Sequence, residues 1–484
     1  MGEKYAVLVK NMGLFFIAGF LPNVLAFFMI PLYTRCLTQS EYGAVDLLLN
    51  TVQLLAPVFT IQIQDAILRF AMDDTWDSGD VLRIGVRITM IGFGILCIAC
   101  LTPCLLWLFG IPFWGGDAFD GLYVFFFIIS YLAGTMLNIF SFYCRGINQV
   151  KTLTEGSLLN MVLFVGFNLL LLWKWKGGMY GYLTANFIST AGNVLYIFFR
   201  QKLYARMRRR QLTQAAKRAE TELAKEMTRF SVPLIFSTLS WWINNASDKY
   251  ILNFFHGVSI VGVYAVAYKI PTILKVFGDI ASMAFSISAI KEFDTEDADG
   301  FIGNSYSMIS LFVVLCCSGL ILGNQIIARI LFAREFYRAW HFVPPLLFSV
   351  LMNQLSMSCE NILVAAKQTK AISFAAVTGA AINTAANFLL IPYFGAYGAA
   401  VATAIGFTSF WAFRYWKLKK TVRMQNDLKR ECASYVLLIL QCATAYWGAR
   451  FWYVQALVFV WILILYKEKL SRLFQAIKKY EKKI

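Results

Sequence analysis

Long apolar runs recur from one end of this chain to the other, and they constrain its fold more than any other feature. Each run holds roughly 20 residues or more, which is the length an α-helix needs to cross the hydrocarbon core of a bilayer. Hydrophobic residues make up 59% of the 484-residue chain and charged residues only 15%, against about 25% charged residues in soluble domains. The pattern predicts an all-α polytopic membrane protein.

About fourteen transmembrane helices are expected by this criterion, as two lobes of six and a final pair. The first lobe has spans near 11–33, 42–64, 85–109, 119–144, 153–173 and 179–199. The second lobe has spans near 230–255, 259–286, 302–327, 340–365, 371–392 and 396–415, and the final pair lies near 433–449 and 451–466. The predicted domains are an N-terminal lobe, a basic linker, a C-terminal lobe, a basic loop, an extra helix pair and a basic tail, at 1–200, 201–229, 230–416, 417–432, 433–466 and 467–484. Within the linker, 211–227 is predicted to form an amphipathic surface helix.

Basic residues cluster in three of the predicted connections. Ten lie in 200–229, seven in 414–430 and seven in 467–483. Under the positive-inside rule this bias predicts that both termini are cytoplasmic, in a multi-pass protein of the cytoplasmic membrane. The net charge of +17 is therefore interpreted as a topology signal and as contact with anionic membrane lipids, and no nucleic-acid partner is expected.

The two predicted lobes repeat in sequence. One offset of 219 residues joins several pairs, namely Ser40 with Ser259, Gly43 with Gly262, Gln149 with Gln368, Lys151 with Lys370 and Asn168 with Asn387. Tyr180 and Gly181 match Tyr397 and Gly398 after a slip of two residues. Because each lobe would hold an even number of helices, both would insert in the same sense. Such parallel repeats are typical of transporters that work by alternating access.

Enzyme motifs are missing from the sequence. The two histidines, His256 and His341, belong to no metal-ligand or catalytic pattern, and no phosphate-binding loop is present. Most of the ten cysteines lie within apolar runs, so we expect packing residues rather than disulfides or metal ligands. The sequence predicts a transporter rather than an enzyme, with no metal and no cofactor.

Polar side chains interrupt two apolar spans between Phe230 and Ala289, on both sides of a break predicted near His256, Gly257 and Gly262. They are Asn244, Asn245, Asp248, Lys249, Lys269, Lys275 and Asp279. A charged side chain at the bilayer centre costs roughly 2.5–3.5 kcal/mol, so such residues normally face a bundle interior or an aqueous cavity. The stretch predicts a wet cationic cavity for an anionic cargo, with Lys249, Lys269 and Lys275 binding the anion. For Lys275, an i,i+4 pair with Asp279 is an equal alternative.

A second polar stripe lies on the second span, where Asp46, Asn50 and Gln53 share one helix face that Pro57 interrupts. The predicted cavity-lining residues are these three with Asn23, Asn245, Asp248, Tyr264 and Tyr268. The alternative is that the polar groups join helices by hydrogen bonds and that the tyrosines pack. Coupling to a proton or sodium gradient stays open, with Asp46 as the best candidate.

Asp65 and Arg69 lie four residues apart at the cytoplasmic end of the second span. An ion pair at the helix end is the favoured interpretation. A cytoplasmic gate is the sharper alternative.

These residues carry a resemblance to a known family. The first lobe has Asn23, then Ile30-Pro31-Leu32-Tyr33, then Leu37 to Gly43, and Arg69; the second has Asn245, Asp248, Lys249, Val261 to Tyr264, Ala267 and Lys269. With these motifs the chain resembles, over nearly its full length, the polysaccharide transporter family of the multidrug/oligosaccharidyl-lipid/polysaccharide exporter superfamily. That family contains the bacterial flippases for O-antigen and capsule repeat units.

The resemblance implies two six-helix lobes around a central cavity, plus two extra helices. It also implies movement of an undecaprenyl-diphosphate-linked oligosaccharide from the inner to the outer leaflet, with membrane lipids and polysaccharide polymerase or assembly proteins as partners. Lysines would offset the desolvation of the diphosphate. The alternatives are a cation-coupled multidrug exporter, which would need acidic residues to dominate the cavity, and a lipid II flippase, which would use cavity arginines. A polymerase or ligase would need a large outer loop, and a structural scaffold would not need lysines within its spans.

Overall fold

The structure of the chain is a computed structural model. It describes residues 25–73, 75–108, 121–207, 214–291, 300–366, 368–424, 427–446 and 451–471, together with Asp294 and Asp297. The described residues form helices joined by short connections and divide into two compact units, unit 1 and unit 2, between Trp242 and Ile243. This division falls inside a helix, and the domain bounds expected from the sequence stay a prediction.

Among the described residues, unit 1 contains eight α-helices and the first part of a ninth. They are α1 Ile30–Cys36, α2 Gln39–Phe59, α3 Ile63–Ala71, α4 Ser78–Leu108, α5 Gly121–Gly146, α6 Val150–Asn168, α7 Gly178–Arg200, α8 Leu203–Arg206 and α9 Gln214–His256. Helix α6 continues as a π-helix over Leu169–Lys174. Helix α9 carries the chain into unit 2.

In the part of unit 2 that the structure describes, the rest of α9 is followed by seven further α-helices. They are α10 Val258–Ala267, α11 Lys269–Lys291, α12 Phe301–Leu331, α13 Val343–Ala365, α14 Thr369–Thr421, α15 Leu428–Tyr446 and α16 Trp452–Leu465. A 3₁₀ helix, Arg334–His341, lies between α12 and α13.

Several of these helices are long enough to span a membrane. Among the described residues, seven are long and apolar enough to cross a bilayer, or eight if the 3₁₀ helix and α13, which meet at 52°, form one span. The expectation of an all-α polytopic membrane protein is thereby confirmed. The predicted number of fourteen spans stays a prediction, and the N-terminal span falls largely outside the described residues.

The start of α2 is fixed by a capping box. The Thr38 hydroxyl accepts a hydrogen bond from the Glu41 amide at 3.2 Å, and Glu41 Oε2 accepts one from the Thr38 amide at 2.8 Å. The other oxygen of Glu41 accepts a bond from the Met179 amide at 3.2 Å. Part of the motif that carries the family resemblance therefore has a structural role, since it satisfies amides at the N-termini of both α2 and α7.

Helix α2 ends just after Pro57, so the span predicted near 42–64 is divided between α2 and α3. Proline has no amide hydrogen, so the turn it enters loses a helical bond. The helix ends two residues later, and Ile61 and Gln62 adopt left-handed φ angles of 48° and 53°. A Cβ on Gly92 would lie 1.8 Å from the Phe59 carbonyl oxygen, so only glycine lets α4 pass this close to the break.

The first half of α9 packs one apolar face into the core of unit 1. Leu223 and Met227 are fully buried there against Ile67, Leu82 and Tyr143. The predicted amphipathic linker helix is thus present from Gln214 onward, but it is not separate from the following span. Both belong to one continuous helix, which passes through Pro233.

Breaks in unit 2 occur at residues that disfavour a helix. Gly257 (φ +81°) separates α9 from α10, as predicted, whereas Gly262 lies buried inside α10, so that part of the predicted break is wrong. Pro271 leaves the Ala267 carbonyl without a helical donor, and α10 ends there. Gly395 (φ 54°, ψ −134°) kinks α14 between the two spans predicted at 371–392 and 396–415.

A glycine with positive φ recurs at equivalent points of the two halves. Gly178 has φ +56° and Gly395 has φ +54°. They precede Tyr180 and Tyr397, the pair that the sequence repeat aligned. The equivalence of these turns supports the predicted repeat.

The C-terminal helix pair is fastened to α12 by buried hydrogen bonds. Ser307 donates to the buried Glu431 at 2.8 Å, and Ser318 donates to Gln441 at 2.7 Å. The Gln441 amide in turn donates to the Gln455 carbonyl on α16 at 3.4 Å. Polar bonds of this kind hold helices together where lipid removes the hydrophobic driving force.

Candidate functional site

A buried carboxylate, Asp248 on α9, organises the polar interior of unit 2. Its Oδ2 atom accepts hydrogen bonds from the hydroxyls of Tyr264 at 2.7 Å, Tyr268 at 2.9 Å and Thr403 at 3.3 Å. Its Oδ1 atom accepts one from the Lys249 amide at 2.9 Å. These partners come from α9, from α10 and its end, and from α14, so one side chain joins three segments of the chain. We call this group the Asp248 cluster.

Burial distinguishes the Asp248 cluster from a solvated polar patch. Asp248 is 2% exposed and Tyr264 is 0% exposed. Four donors directed at one carboxylate match its ionised form, which only accepts hydrogen bonds. Asp248 and Tyr264 were predicted to line an open cavity, and the structure instead encloses them in the packed interior of unit 2.

Two of the predicted cationic residues lie beside this cluster. The Lys249 ammonium lies 5.6 Å from the centre of the Tyr268 ring. Lys269 directly follows Tyr268, near the middle of the candidate span Val258–Ile280, and is partly buried. Within the described residues, the Lys269 ammonium makes no hydrogen bond and no ion pair. Tyr268 thus contacts Asp248 through its hydroxyl and the Lys249 ammonium through its ring.

The third predicted cation, Lys275, has a carboxylate partner. Its ammonium pairs with Asp279 at 2.5 Å, and the same carboxylate accepts a bond from the Gln354 amide at 2.9 Å. The alternative given in the sequence analysis, an i,i+4 pair, is therefore the observed arrangement. Gln354 was missed because it lies on α13, far away in sequence.

The polar stripe of α2 is also observed in unit 1. Asn50 donates to the carbonyl and to the carboxylate of Asp46, at 2.6 and 3.0 Å, and the Asn50 carbonyl accepts from the Trp242 indole at 3.1 Å. Gln53 lines a cavity of about 440 Å³ within unit 1. Other polar residues of this cavity were not predicted, namely Ser130, Thr135, Asn138, Asn186 and Thr190. Asn138 and Asn186 could have been found as amides inside apolar spans, whereas the hydroxyl residues give no such signal.

Asp65 and Arg69 do not form the predicted ion pair. Asp65 instead accepts a hydrogen bond from the Gln62 amide at 2.8 Å, and the described residues give Arg69 no ion pair with it. Two hydrogen bonds from Thr75, together with the nearby Arg69 charge, hold the pKa of the Asp73 carboxyl below its usual range. Asp65 and Arg69 both line a groove of about 390 Å³ in unit 1, and the gate function stays a prediction.

The remaining predicted lining residues have different positions. Asn245 is exposed on α9, whereas Asn23 lies outside the described residues. Arg414, which was counted in a basic cytoplasmic segment, is instead buried at 6% exposure and pairs with Glu360 at 2.8 Å. Its position late in α14, facing α13, removes it from the surface.

Comparison with known proteins adds a family and a fold. A family model described as "Polysaccharide biosynthesis protein" matches residues 8–285. The chain is 25% identical over 199 residues to the "Probable low-salt glycan biosynthesis flippase Agl15" of Haloferax volcanii, covering 40% of this chain and 42% of that protein. The match thus spans about two-fifths of that curated relative.

Solved structures share the fold at low sequence identity. "Lipid II flippase MurJ, inward closed conformation" aligns with a TM-score of 0.63 and 12% identity, covering 94% of this chain and 98% of that chain. An inward-facing multidrug resistance MATE family transporter of the MOP superfamily aligns with a TM-score of 0.58 and 14% identity, covering 81% and 94%. The family model matches residues only as far as 285, whereas the fold shared with these solved structures covers most of the chain.

Proposed function

Because this chain belongs to the polysaccharide biosynthesis protein family, we propose that it is a flippase for a lipid-linked glycan. Its cargo would be an undecaprenyl-diphosphate-linked oligosaccharide, moved from the inner to the outer leaflet of a bacterial cytoplasmic membrane for surface polysaccharide synthesis. The partial match to a glycan biosynthesis flippase supports this cargo class. Membrane lipids and polysaccharide polymerase or assembly proteins are its proposed partners.

Lys269 is the observation that carries this proposal. It lies about 16 Å along the helical path from the start of the span Val258–Ile280, close to the bilayer centre. Its ammonium has no carboxylate partner among the described residues. A cation at this depth is costly unless water or an anion compensates it, so a mid-span lysine marks a passage for a negatively charged group.

The diphosphate of the carrier is the anion we assign to Lys269 and Lys249. Such a group brings charge into a medium of low dielectric constant, where nearby ammonium groups offset part of its desolvation. Tyr268 precedes Lys269 in sequence and has the Lys249 ammonium beside its ring, so it would keep the two lysines near each other. Lys275 contributes less, because Asp279 already neutralises it.

Transport is proposed to follow alternating access with both termini in the cytoplasm. The sequence repeat and the distribution of basic residues support this arrangement. Accessibility labelling of single cysteines at positions 151 and 429 from the cytoplasmic side, and at position 176 from the outer side, tests the topology.

Proteoliposomes test the function directly. A fluorescent undecaprenyl-diphosphate oligosaccharide is added, and the fraction of lipid that becomes accessible in the opposite leaflet is measured. Wild type should translocate it, and Lys249→Ala and Lys269→Ala should each lower the initial rate by roughly tenfold, the effect of losing about 1.4 kcal/mol of anion binding. Lys467→Ala, which removes an exposed lysine elsewhere, should match wild type.

The other outcomes are equally informative. Gradient-dependent efflux of organic cations without lipid translocation would indicate a multidrug exporter, and a preference for lipid II would change the cargo. Translocation that both lysine variants leave intact would keep the function and remove the proposed diphosphate site. Imposing a proton or sodium gradient on the same vesicles, with Asp46→Asn as the variant, tests the proposal that Asp46 couples transport to an ion.

A further inference from the structure

A large groove opens on unit 1 between α4 and the first half of α9. Its volume is about 1030 Å³. Arg87, Lys225 and Arg229 line it, and all three side chains are exposed. The groove is distinct from the Asp248 cluster and from Lys269, which belong to unit 2.

The net charge of this groove is positive. Glu220 is the acidic residue in its lining, and its carboxylate lies 3.5 Å from the guanidinium of Arg83. Arg83 also pairs with Asp80 at 2.6 Å. Arg83 is thus shared by two carboxylates and offsets only part of the Glu220 charge, but the three basic lining residues still outnumber this one acid.

The three cations lie where both helices change from polar to apolar. Arg87 is followed on α4 by an apolar run in which Ile91 lines the groove one turn further on. Arg229 is followed on α9 by Phe230, and Val232 lines the groove within the next turn. Basic residues followed along each helix by apolar residues are the arrangement expected at the boundary between lipid headgroups and hydrocarbon.

We propose that this groove binds an anionic phospholipid from the leaflet in which α9 begins. The phosphate would lie among Arg87, Lys225 and Arg229, and an acyl chain would run along Ile91 and Val232. Charge complementarity selects an anionic headgroup, and the apolar wall selects a lipid over a soluble phosphate. Since α9 enters unit 2, the lipid would brace the part of this helix that precedes the Asp248 cluster.

A binding measurement on the full-length protein tests this proposal. The purified protein in neutral detergent is titrated with phosphatidylglycerol or with phosphatidylcholine, and bound lipid is counted by native mass spectrometry. The test variant is the triple change Arg87→Gln, Lys225→Gln and Arg229→Gln. The matched control removes three exposed basic residues outside the groove, in the triple change Arg145→Gln, Lys151→Gln and Lys429→Gln.

We expect wild type to prefer phosphatidylglycerol, and the groove triple to weaken its binding by roughly tenfold to a hundredfold, since each basic residue near a membrane surface contributes several-fold in affinity. The control triple should retain the preference. Val232→Trp, which leaves the charges and narrows the apolar wall, should also weaken phosphatidylglycerol binding and serves as a second test should the groove triple misfold.

Three results would overturn the proposal. They are equal affinity of wild type for the two phospholipids, equal loss in both triples, and displacement of phosphatidylglycerol by equimolar undecaprenyl phosphate. The last result would assign the groove to the prenyl carrier. Because the readout is lipid binding, a failure of the flippase assay does not affect it.

Discussion

Two carboxylates within the helices, Asp46 and Asp248, are held in opposite ways. Asp46 receives a hydrogen bond from Asn50, four residues along the same helix, and both side chains are partly exposed. Asp248 is buried and receives hydroxyl bonds from residues 16, 20 and 155 positions away. The bond from Asn50 to Asp46 lies within one helix, whereas the bonds to Asp248 join several segments of unit 2.

This difference distinguishes carboxylates that can change their protonation state during transport from carboxylates that stabilise the fold. A partly exposed carboxylate can change its protonation or its partners at modest cost. A carboxylate that accepts four hydrogen bonds inside a lobe can change neither without leaving hydroxyls unsatisfied. Asp46 therefore stays the residue proposed for ion coupling, whereas the bonds to Asp248 join parts of the fold.

The largest difference is expected between variants that lack Asp46 and variants that lack Asp248. Asp248→Ala removes the acceptor of the buried Tyr264 hydroxyl and of the partly buried Tyr268 hydroxyl, and should lower the free energy of unfolding by about 3 kcal/mol or more. Asp46→Ala removes an i,i+4 contact and should cost about 0.5 kcal/mol. Denaturant titration of each purified variant, followed by helical circular dichroism, measures both values. Equal losses would refute the distinction.

The glycine turns at equivalent points of the two halves have different surroundings. Alanine at Gly178 or Gly395 should cost about 1–2 kcal/mol from positive φ. At Gly178 the new Cβ would also lie 2.5 Å from Glu41 Oε1, whereas at Gly395 its nearest neighbour is 3.7 Å away. Gly178→Ala should therefore couple to Glu41→Ala by about 1 kcal/mol in a double-mutant cycle, and Gly395→Ala should be additive with it. Coupling of both glycines to Glu41 would contradict the local explanation.

The smallest effect is expected at Lys275. Its pair with Asp279 is about half exposed, and exposed pairs contribute at most about 1 kcal/mol. Lys275→Ala should change unfolding by about 0.5 kcal/mol and the flipping rate by no more than about twofold, in contrast to Lys269→Ala in the same assay. A tenfold loss of transport on Lys275→Ala would restore it as a diphosphate ligand.

Sequence reasoning succeeded where the interaction is local along a helix. The spacing of Asp46, Asn50 and Gln53 predicted a shared face, and the spacing of Lys275 and Asp279 offered the observed pair. Proline and glycine chemistry predicted the interruptions at Pro57 and at Gly257. In each case a helical period or a missing amide donor is enough to decide the outcome.

Interactions between distant segments were beyond such reasoning. Nothing in the spacing of Asp248 indicates that Thr403 will reach it, and the partner of Arg414 lies on another helix. Gln62 and Arg69 are both close enough in sequence to bind Asp65, and spacing alone does not say which will do so. In the structure Gln62, which has a left-handed φ, donates its side-chain amide to Asp65, and Arg69 does not pair with it. Which polar groups of a lobe become buried depends on packing among all of its helices.

Glu41 has a consequence for how the chain is assembled during synthesis. Its bonds to Thr38 can form as soon as the first turn of α2 exists, but its bond to the Met179 amide needs a residue 138 positions later. Oε1 of Glu41 therefore has no bond to Met179 until the described helices α3 to α6 have been synthesised. The contact can form only after the start of α7 has been synthesised. It is therefore a late step in the folding of the N-terminal half.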